Sequence, residues 1–197
     1  MINENEIKIL TAFPTSIYSY ANVFQDDILN HYIKMCKDIQ STTESGGKNW
    51  LSPVYNTLGT YNLIEDKRFD FMIETITYHL KNFNTMMGSD YNYTCTDAWV
   101  NSYKKGDYQE WHAHAGSTYS AVLFLKYPEG SAPIHFHSPS EPYNMLPIKD
   151  IKEYNSFNIH HMNITPVENY LISFRSYLKH MVPVNNTDER ITIAFNF

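Results

Sequence analysis

From Tyr91 onward, short β-like runs alternate with turn signals, and this pattern limits what the chain can fold into. Short strands at such spacing indicate a β-sandwich or barrel. Sixteen Tyr and eleven Phe against seven Gly support this, because aromatic side chains suit a pleated, half-buried surface. The expected strands are Thr94–Tyr103, Glu110–His114, Thr118–Tyr127, Pro133–His137, Tyr170–Phe174, Met181–Val184 and Arg190–Phe197.

The first ninety residues have a different, helical pattern. Asp26–Ile39 and Asp66–Met87 place apolar side chains at helical spacing, and Gly88 suits a helix C-terminus. Glu6–Tyr20 is apolar but interrupted by Pro14, which predicts a strand at a sheet edge. We therefore expect residues 1–90 to supply an edge strand and helical support.

The chain is predicted to form one domain over residues 1–197, with its β-core in residues 91–197. Ser138–Thr165 contains three prolines and few strand signals, and a loop of that length in a compact domain is usually functional. We interpret this segment as a candidate lid.

Composition narrows the classes of function. A net charge of −6 argues against general affinity for nucleic acid or anionic membranes, both of which need clustered Lys and Arg. No apolar run approaches the length of a membrane helix, and no signal-peptide pattern is evident. Two cysteines, Cys36 and Cys95, are too few for a disulfide framework, so we expect a cytoplasmic protein. The Asn-x-Thr matches at Asn92, Asn163 and Asn185 are then accidental.

His112 and His114 are two residues apart in a predicted strand, so their side chains should share a face. Imidazole pairs bind iron, zinc, copper and nickel alike. His180 lies far downstream in a second β-like run, and could add a third imidazole. A second His-x-His, His135 and His137, is not expected to bind metal. His160 and His161 are expected to be solvent-exposed in the long loop.

Several motifs together resemble Fe(II)- and 2-oxoglutarate-dependent oxygenases of a group found in phages and marine bacteria. The resemblance covers most of the chain and implies a double-stranded β-helix (jelly-roll, cupin-like) core, mostly β with flanking helices. The motifs are Phe13-Pro14-Thr15, Trp99-x-Asn101, His112-x-His114-x-Gly116-Ser117, Ser120-Ala121-Val122, Phe174-x-Ser176-x-Leu178-x-His180, Arg190-Ile191-Thr192 and Phe195-Asn196.

By this resemblance His112, His114 and His180 are the metal ligands and the catalytic residues, and the metal is Fe(II). His114 stands where most of the superfamily has Asp or Glu, so the third ligand would be neutral. Glu110 is the alternative, because it lies on the same predicted strand face and could supply the carboxylate.

The same resemblance implies a binding site for 2-oxoglutarate as cosubstrate. Arg190 and Thr192 alternate along one strand, and their guanidinium and hydroxyl could hold the distal carboxylate. Asn101 and Tyr103 share a face of another strand and are expected to reach the cosubstrate, unless they are simply core.

The implied activity is a dioxygenase reaction that hydroxylates a substrate and releases succinate and carbon dioxide. The substrate is left open between a peptide side chain, a nucleobase and a small metabolite, and a homodimer is one candidate assembly. If the chain is phage-encoded, it would act in the host cytoplasm. One alternative is a cupin-like three-histidine metal protein that does not use 2-oxoglutarate. Another is a non-enzymatic interaction or virion module that has lost the metal.

Overall fold

A computed structural model describes residues 13–47, 50–140 and 149–197 of the chain. Within these ranges ten strands form two antiparallel sheets, and two long helices accompany them. The chain is therefore mostly β with flanking helices, as expected.

The larger sheet has six strands, which are β1 (Ile17–Ala21), β2 (Tyr55–Asn56), β3 (Asp97–Tyr103), β5 (Tyr119–Lys126), β8 (Tyr170–Arg175) and β10 (Arg190–Asn196). Their spatial order is β1-β8-β5-β10-β3-β2. Neighbouring strands in this sheet run antiparallel throughout.

The smaller sheet has four strands, which are β4 (Gln109–His112), β6 (Ile134–His137), β7 (His161–Ile164) and β9 (His180–Val182). Their spatial order is β4-β9-β6-β7, and this sheet is also antiparallel.

Strand β5 shows how the core is divided between two layers. Ala121, Leu123 and Leu125 belong to the cluster that includes the helices, whereas Val122 and Phe124 pack with side chains of the smaller sheet. Successive residues of a strand point to opposite faces, so one face of the larger sheet carries the helices and the other faces the second sheet. Fully burying a Leu or Phe side chain, such as Leu123 or Phe124, contributes about 1.5–3 kcal/mol.

The helices α1 (Asp26–Thr42) and α2 (Asp70–Met86) form where helical periodicity predicts them, but the expected start of the second at Asp66 is wrong. Asp66 accepts a hydrogen bond from the backbone N–H of Arg68 at 3.0 Å and begins a 3-10 turn, Lys67–Phe69, that precedes α2. Gly88, with φ +82°, follows the helix as expected. No helix in the described ranges is long and apolar enough to cross a membrane.

Strand β1 forms an edge of the larger sheet, as predicted for Glu6–Tyr20, although residues 6–12 lie outside the described residues. Most other strands lie within a few residues of their expected bounds. Strand β3 begins at Asp97 rather than at Thr94. The two-residue strand β2 was not expected.

The expectation that Ser138–Thr165 is wholly a loop is wrong at its C-terminal end. Strand β7 lies within it and pairs with β6, placing His161 opposite His137 and Ile164 opposite Ile134. Three of the four β7 residues are exposed, so the strand shows none of the apolar alternation by which strands are recognised. Residues 141–148 lie outside the described residues, and a lid role for residues 149–160 stays a prediction.

Candidate active site

Three imidazoles meet where the smaller sheet approaches the larger one. His112 ends β4 and His180 begins β9, and the two residues are directly opposite in the antiparallel register. Their ring centroids are 4.2 Å apart, and the ring of His114 lies 5.3 Å from that of His112 and 5.1 Å from that of His180. One potential ligand atom from each residue lies within 4.8 Å of the others.

His114 does not belong to the strand in which it was expected. Strand β4 ends at His112, after an irregularity in its pairing with β9, so the predicted strand Glu110–His114 is two residues too long. The backbone N–H of His114 instead donates to the carbonyl of Ser176 at 3.0 Å, outside the β4–β9 pairing. Its ring still stacks on that of His112, with 19° between the ring planes.

Hydrogen bonds at the Nδ1 atoms set the orientation of all three rings. Nδ1 of His112 donates to the carbonyl of Glu110 at 2.7 Å, and Nδ1 of His180 donates to the carbonyl of Leu178 at 2.9 Å. Nδ1 of His114 donates to the side-chain oxygen of Asn196 at 2.6 Å. Because these oxygens only accept, the proton sits on Nδ1 and the lone pair on Nε2 is left for a metal.

Asn196 and Ser120, which orient His114, were not predicted as site residues from the sequence. Asn196 is the last residue of β10, and Ser120, opposite it on β5, donates to its side-chain oxygen at 3.2 Å. The Ser120 hydroxyl also lies 3.0 Å from Nδ1 of His114 and 2.8 Å from the hydroxyl of Ser176. Asn196 could have been predicted from strand alternation. It shares a strand face with Arg190 and Thr192, the face expected to contact the cosubstrate.

Burial keeps the three imidazoles neutral. It lowers the pKa of His112 to about 4, although the hydrogen bond to Glu110 opposes the shift. The pKa of His180 is lowered well below its ordinary value, first by burial and then by the neighbouring His112 and His114. Burial also lowers the pKa of His114, and its hydrogen bond to Asn196 opposes that effect. Neutral imidazole is the form that binds metal.

Arg190 is buried in the same region, with 1% of its surface exposed. Its guanidinium carbon lies 4.4 Å from the ring centroid of Tyr103 and 5.4 Å from that of Phe124, and its Nε donates to the carbonyl of Ala132 at 3.2 Å. One terminal nitrogen, Nη1, has no hydrogen-bond partner among the described residues, and none of their carboxylates forms an ion pair with Arg190. Burial lowers the pKa of this guanidinium. A buried cation without a counter-charge is costly, and an anionic ligand would relieve that cost.

One cavity of about 220 Å³ joins the histidines to the arginine. Trp50 and Trp99, which sequence analysis did not place in the site, also contribute to its wall. No Asp or Glu lines the cavity among the residues that the structure describes. All seven predicted site residues line it, namely Asn101, Tyr103, His112, His114, His180, Arg190 and Thr192.

Glu110, the alternative third ligand, has another partner. Its carboxylate accepts a hydrogen bond from the backbone N–H of Leu51 at 2.8 Å, and it is not part of the cluster of potential ligands. Its backbone carbonyl, in contrast, orients His112.

The remaining histidines of the described ranges, including His135 and His137, lie outside this cluster. His137 and His161 face each other across β6 and β7 with ring centroids 4.8 Å apart, and Trp111 lies 5.5 Å from the ring of His137. His161 is exposed, as predicted, but it lies in a strand rather than in a loop. His160 is only partly exposed, and its Nδ1 is buried without a hydrogen-bond partner among the described residues.

A family model described as "Putative 2OG-Fe(II) oxygenase" matches residues 97–196, which include every predicted site residue. No curated protein sequence matches the chain.

Solved structures share the fold at low sequence identity. A prolyl-4-hydroxylase from Pseudomonas putida superposes with a TM-score of 0.61 at 12% identity, covering 93% of this chain and 92% of that one. A prolyl hydroxylase from Trichoplax adhaerens, solved with a hypoxia inducible factor peptide fragment, gives 0.60 at 13% identity and covers 92% and 83%. The epimerase SnoN from nogalamycin biosynthesis, solved with Fe3+, alpha ketoglutarate and nogalamycin RO, gives 0.63 at 12% identity and covers 92% and 78%. The expected double-stranded β-helix core is thereby confirmed.

Proposed function

This chain belongs to the 2OG-Fe(II) oxygenase family, and from that premise we propose that it is a dioxygenase that hydroxylates an uncharged group of its substrate. Fe(II) and 2-oxoglutarate are the cofactor and cosubstrate of the family, as expected from the sequence. One observation carries the proposal: three neutral imidazoles line the same cavity as a buried arginine that forms no ion pair among the residues that the structure describes.

The three histidines suit Fe(II) by the chemistry of their donor atoms. His112, His114 and His180 would hold the ion through Nε2, because each Nδ1 is engaged by an oxygen acceptor. Imidazole nitrogens in neighbouring positions on one ion lie roughly 3–3.5 Å apart, so the ligand atoms, which lie within 4.8 Å of one another, would approach by side-chain rotation on binding the ion. When bound, the iron together with 2-oxoglutarate and dioxygen supplies the oxidising chemistry, with succinate and carbon dioxide as co-products.

Arg190 would bind the distal carboxylate of 2-oxoglutarate. Its free Nη1 can donate to a carboxylate oxygen, and Thr192 lines the same wall two residues along β10. Asn101 and Tyr103 line the cavity from the adjacent strand β3, where they can contact the same ligand. The rings around the guanidinium exclude water and so strengthen its attraction for an anion.

Within the described part of the chain no carboxylate joins the three histidines, and this changes the charge of the site. With a neutral third ligand, the dication and Arg190 together face the cosubstrate with a charge of about +3 before 2-oxoglutarate contributes about −2. In the common set of two histidines and one carboxylate, the corresponding charges balance. We therefore expect this site to bind the anionic cosubstrate strongly and to disfavour a cationic substrate group.

The size and polarity of the cavity support a small, uncharged substrate group. At about 220 Å³ it is smaller than the roughly 300–1,000 Å³ of pockets that enclose drug-sized ligands. Trp50, Leu58 and Ala113 line it on the apolar side. Among the three substrate classes left open by the sequence, we favour a side chain presented by a peptide. Two of the structural neighbours described above are prolyl hydroxylases, which is consistent with that choice.

A cupin-like metal protein remains the second candidate, because three neutral imidazoles without a carboxylate also suit a centre that does not use 2-oxoglutarate. Arg190 favours the oxygenase, since a site without an anionic cosubstrate has no use for a buried guanidinium that forms no ion pair in the described ranges.

The metal assignment is tested by anaerobic reconstitution with Fe(II), followed by measurement of bound iron. Wild type should retain about one ion per chain, and His112→Ala should retain almost none, because two imidazoles hold labile Fe(II) poorly against water. His135→Ala is the matched control, since it removes a histidine of the other His-x-His pair, outside the cluster. Full iron occupancy in His112→Ala would refute the metal site.

A further inference from the structure

Three turns converge beside Arg190. They are formed by residues 104–107 between β3 and β4, by residues 128–132 between β5 and β6, and by residues 185–189 between β9 and β10. Each turn is next in sequence to a residue of this region. Tyr103 and Tyr127, whose rings lie beside the guanidinium, precede the first and second turns, and Arg190 itself follows the third. The geometry around the guanidinium therefore depends on how these turns are held together.

Asn185 connects all three turns and is fully buried. Its backbone N–H donates to the carbonyl of Asp107 at 2.7 Å, and its own carbonyl accepts from the N–H of Gly106 at 2.8 Å. Its side-chain nitrogen donates to the carbonyls of Lys104 at 3.3 Å and Thr187 at 2.5 Å. The backbone groups and side-chain nitrogen of Asn185 thus bond to residues 104–107 and to Thr187 in its own turn.

The side-chain oxygen of Asn185 is connected to Arg190 through a single residue, Ala132. It accepts a hydrogen bond from the N–H of Ala132 at 3.0 Å. The carbonyl of that same Ala132 accepts from Nε of Arg190 at 3.2 Å. The guanidinium also hydrogen-bonds to the side chain of Tyr103. The Ala132 carbonyl holds Nε, so it helps to fix the direction of the guanidinium.

We propose that Asn185 is a positioning residue for 2-oxoglutarate: it holds Ala132, and through Ala132 it aims the Arg190 guanidinium at the distal carboxylate. This inference rests on the proposed function, because it assumes that Arg190 binds the distal carboxylate of 2-oxoglutarate. Paired hydrogen bonds between guanidinium and carboxylate are sensitive to direction, so a small tilt weakens them while the charge stays in place.

The Asn185→Ala variant removes the acceptor of the Ala132 N–H and leaves that buried donor without a partner. The turn must then shift to find another acceptor, and the Ala132 carbonyl shifts with it. We expect 2-oxoglutarate affinity to fall about tenfold, the effect of losing roughly one well-formed hydrogen bond.

Ser131→Ala is the matched control. It removes a hydrogen bond of 2.7 Å between the hydroxyls of Ser131 and Thr187, which joins the same two turns but does not include Ala132 or Arg190. If the network only supports the fold, both variants should lower the melting temperature and leave the affinity for 2-oxoglutarate unchanged. If Asn185 positions the arginine, only Asn185→Ala should weaken 2-oxoglutarate.

The experiment is calorimetric titration of 2-oxoglutarate into Fe(II)-loaded protein under nitrogen, for wild type, Asn185→Ala, Ser131→Ala and Arg190→Ala. The expected order of affinity is wild type equal to Ser131→Ala, then Asn185→Ala, then Arg190→Ala, with iron content equal in all four. Arg190→Ala weakening the ligand while Asn185→Ala binds within twofold of wild type would overturn this inference alone. Unchanged affinity in Arg190→Ala would instead overturn the proposed cosubstrate site, and the inference with it.

A measurement on the wild-type chain covers the case in which Asn185→Ala does not fold. Adding 2-oxoglutarate to the Fe(II)-loaded protein should slow hydrogen exchange at the Ala132 amide more than at the Ser131 amide. The Ser131 amide bonds to the carbonyl of Pro128 at 3.0 Å, in the same turn but off the path to Arg190. Equal slowing at both amides would overturn the inference.

Discussion

Replacing Arg190 by alanine should nearly abolish 2-oxoglutarate binding and leave iron binding intact. The guanidinium is buried, and among the described residues no carboxylate neutralises it, so its charge is available to a ligand. Removing one partner of a buried charged pair costs about 3–5 kcal/mol, which corresponds to a loss of affinity of roughly a hundredfold to a few thousandfold. Iron should be unaffected because Arg190 is not among the clustered ligands.

The assay is titration of 2-oxoglutarate into Fe(II)-loaded variants under nitrogen. Arg190→Lys keeps the charge but loses the forked geometry and the Nε contact with Ala132, so it should bind more weakly than wild type and more tightly than Arg190→Ala. Arg175→Ala is the control, since Arg175 also lies over an aromatic ring, 5.0 Å from the centroid of Tyr119, but is exposed and outside the cavity. Wild-type affinity in Arg190→Ala would refute the carboxylate anchor and favour the cupin-like alternative.

Three further predictions concern the histidines. His114→Asp should still bind Fe(II), because it restores the common set of two histidines and one carboxylate, and complete loss of iron would show that the neutral third ligand is required. Asn196→Ala should lower iron affinity roughly 10–100-fold by freeing the His114 ring, measured by competition with a chelator, and unchanged affinity would contradict the orienting role. The metal-free protein should lose stability as pH falls from 6.5 to about 4, since the unfolded chain takes up protons there that buried His112 and His180 do not. The free energy of unfolding, measured with urea across this pH range, tests this prediction. An equally steep fall of that free energy in a His112→Gln, His180→Gln double variant would contradict it.

Periodicity alone predicted the two helices and most strands, because the apolar faces that pack in the core are also the repeating signal in the sequence. Strand β7 has no such face: three of its four residues are exposed, and its pairing with β6 is a long-range property. The start of α2 was misplaced because Asp66 caps a 3-10 turn, which resembles a helix start in the sequence.

Spacing and family resemblance predicted candidate site residues that the structure brings to one cavity, such as His112 and Arg190. Asn196 and Ser120 were missed because they come together only through the register of β10 on β5. The path from Asn185 through Ala132 depends on contacts between residues 53 positions apart, which no local pattern records. The single-domain assignment stays a prediction.

The most direct test of the account is succinate formation by the Fe(II)-loaded protein. Protein, Fe(II) and 2-oxoglutarate are combined under nitrogen, air is admitted, and both 2-oxoglutarate and succinate are quantified over time. The account predicts that succinate appears as 2-oxoglutarate disappears, in equal amounts, and that His112→Ala and Arg190→Ala reduce both to the level of a protein-free control. Intact 2-oxoglutarate with the wild-type protein, or equal succinate from wild type and His112→Ala, would contradict the proposal that these residues form a 2-oxoglutarate-dependent oxygenase site.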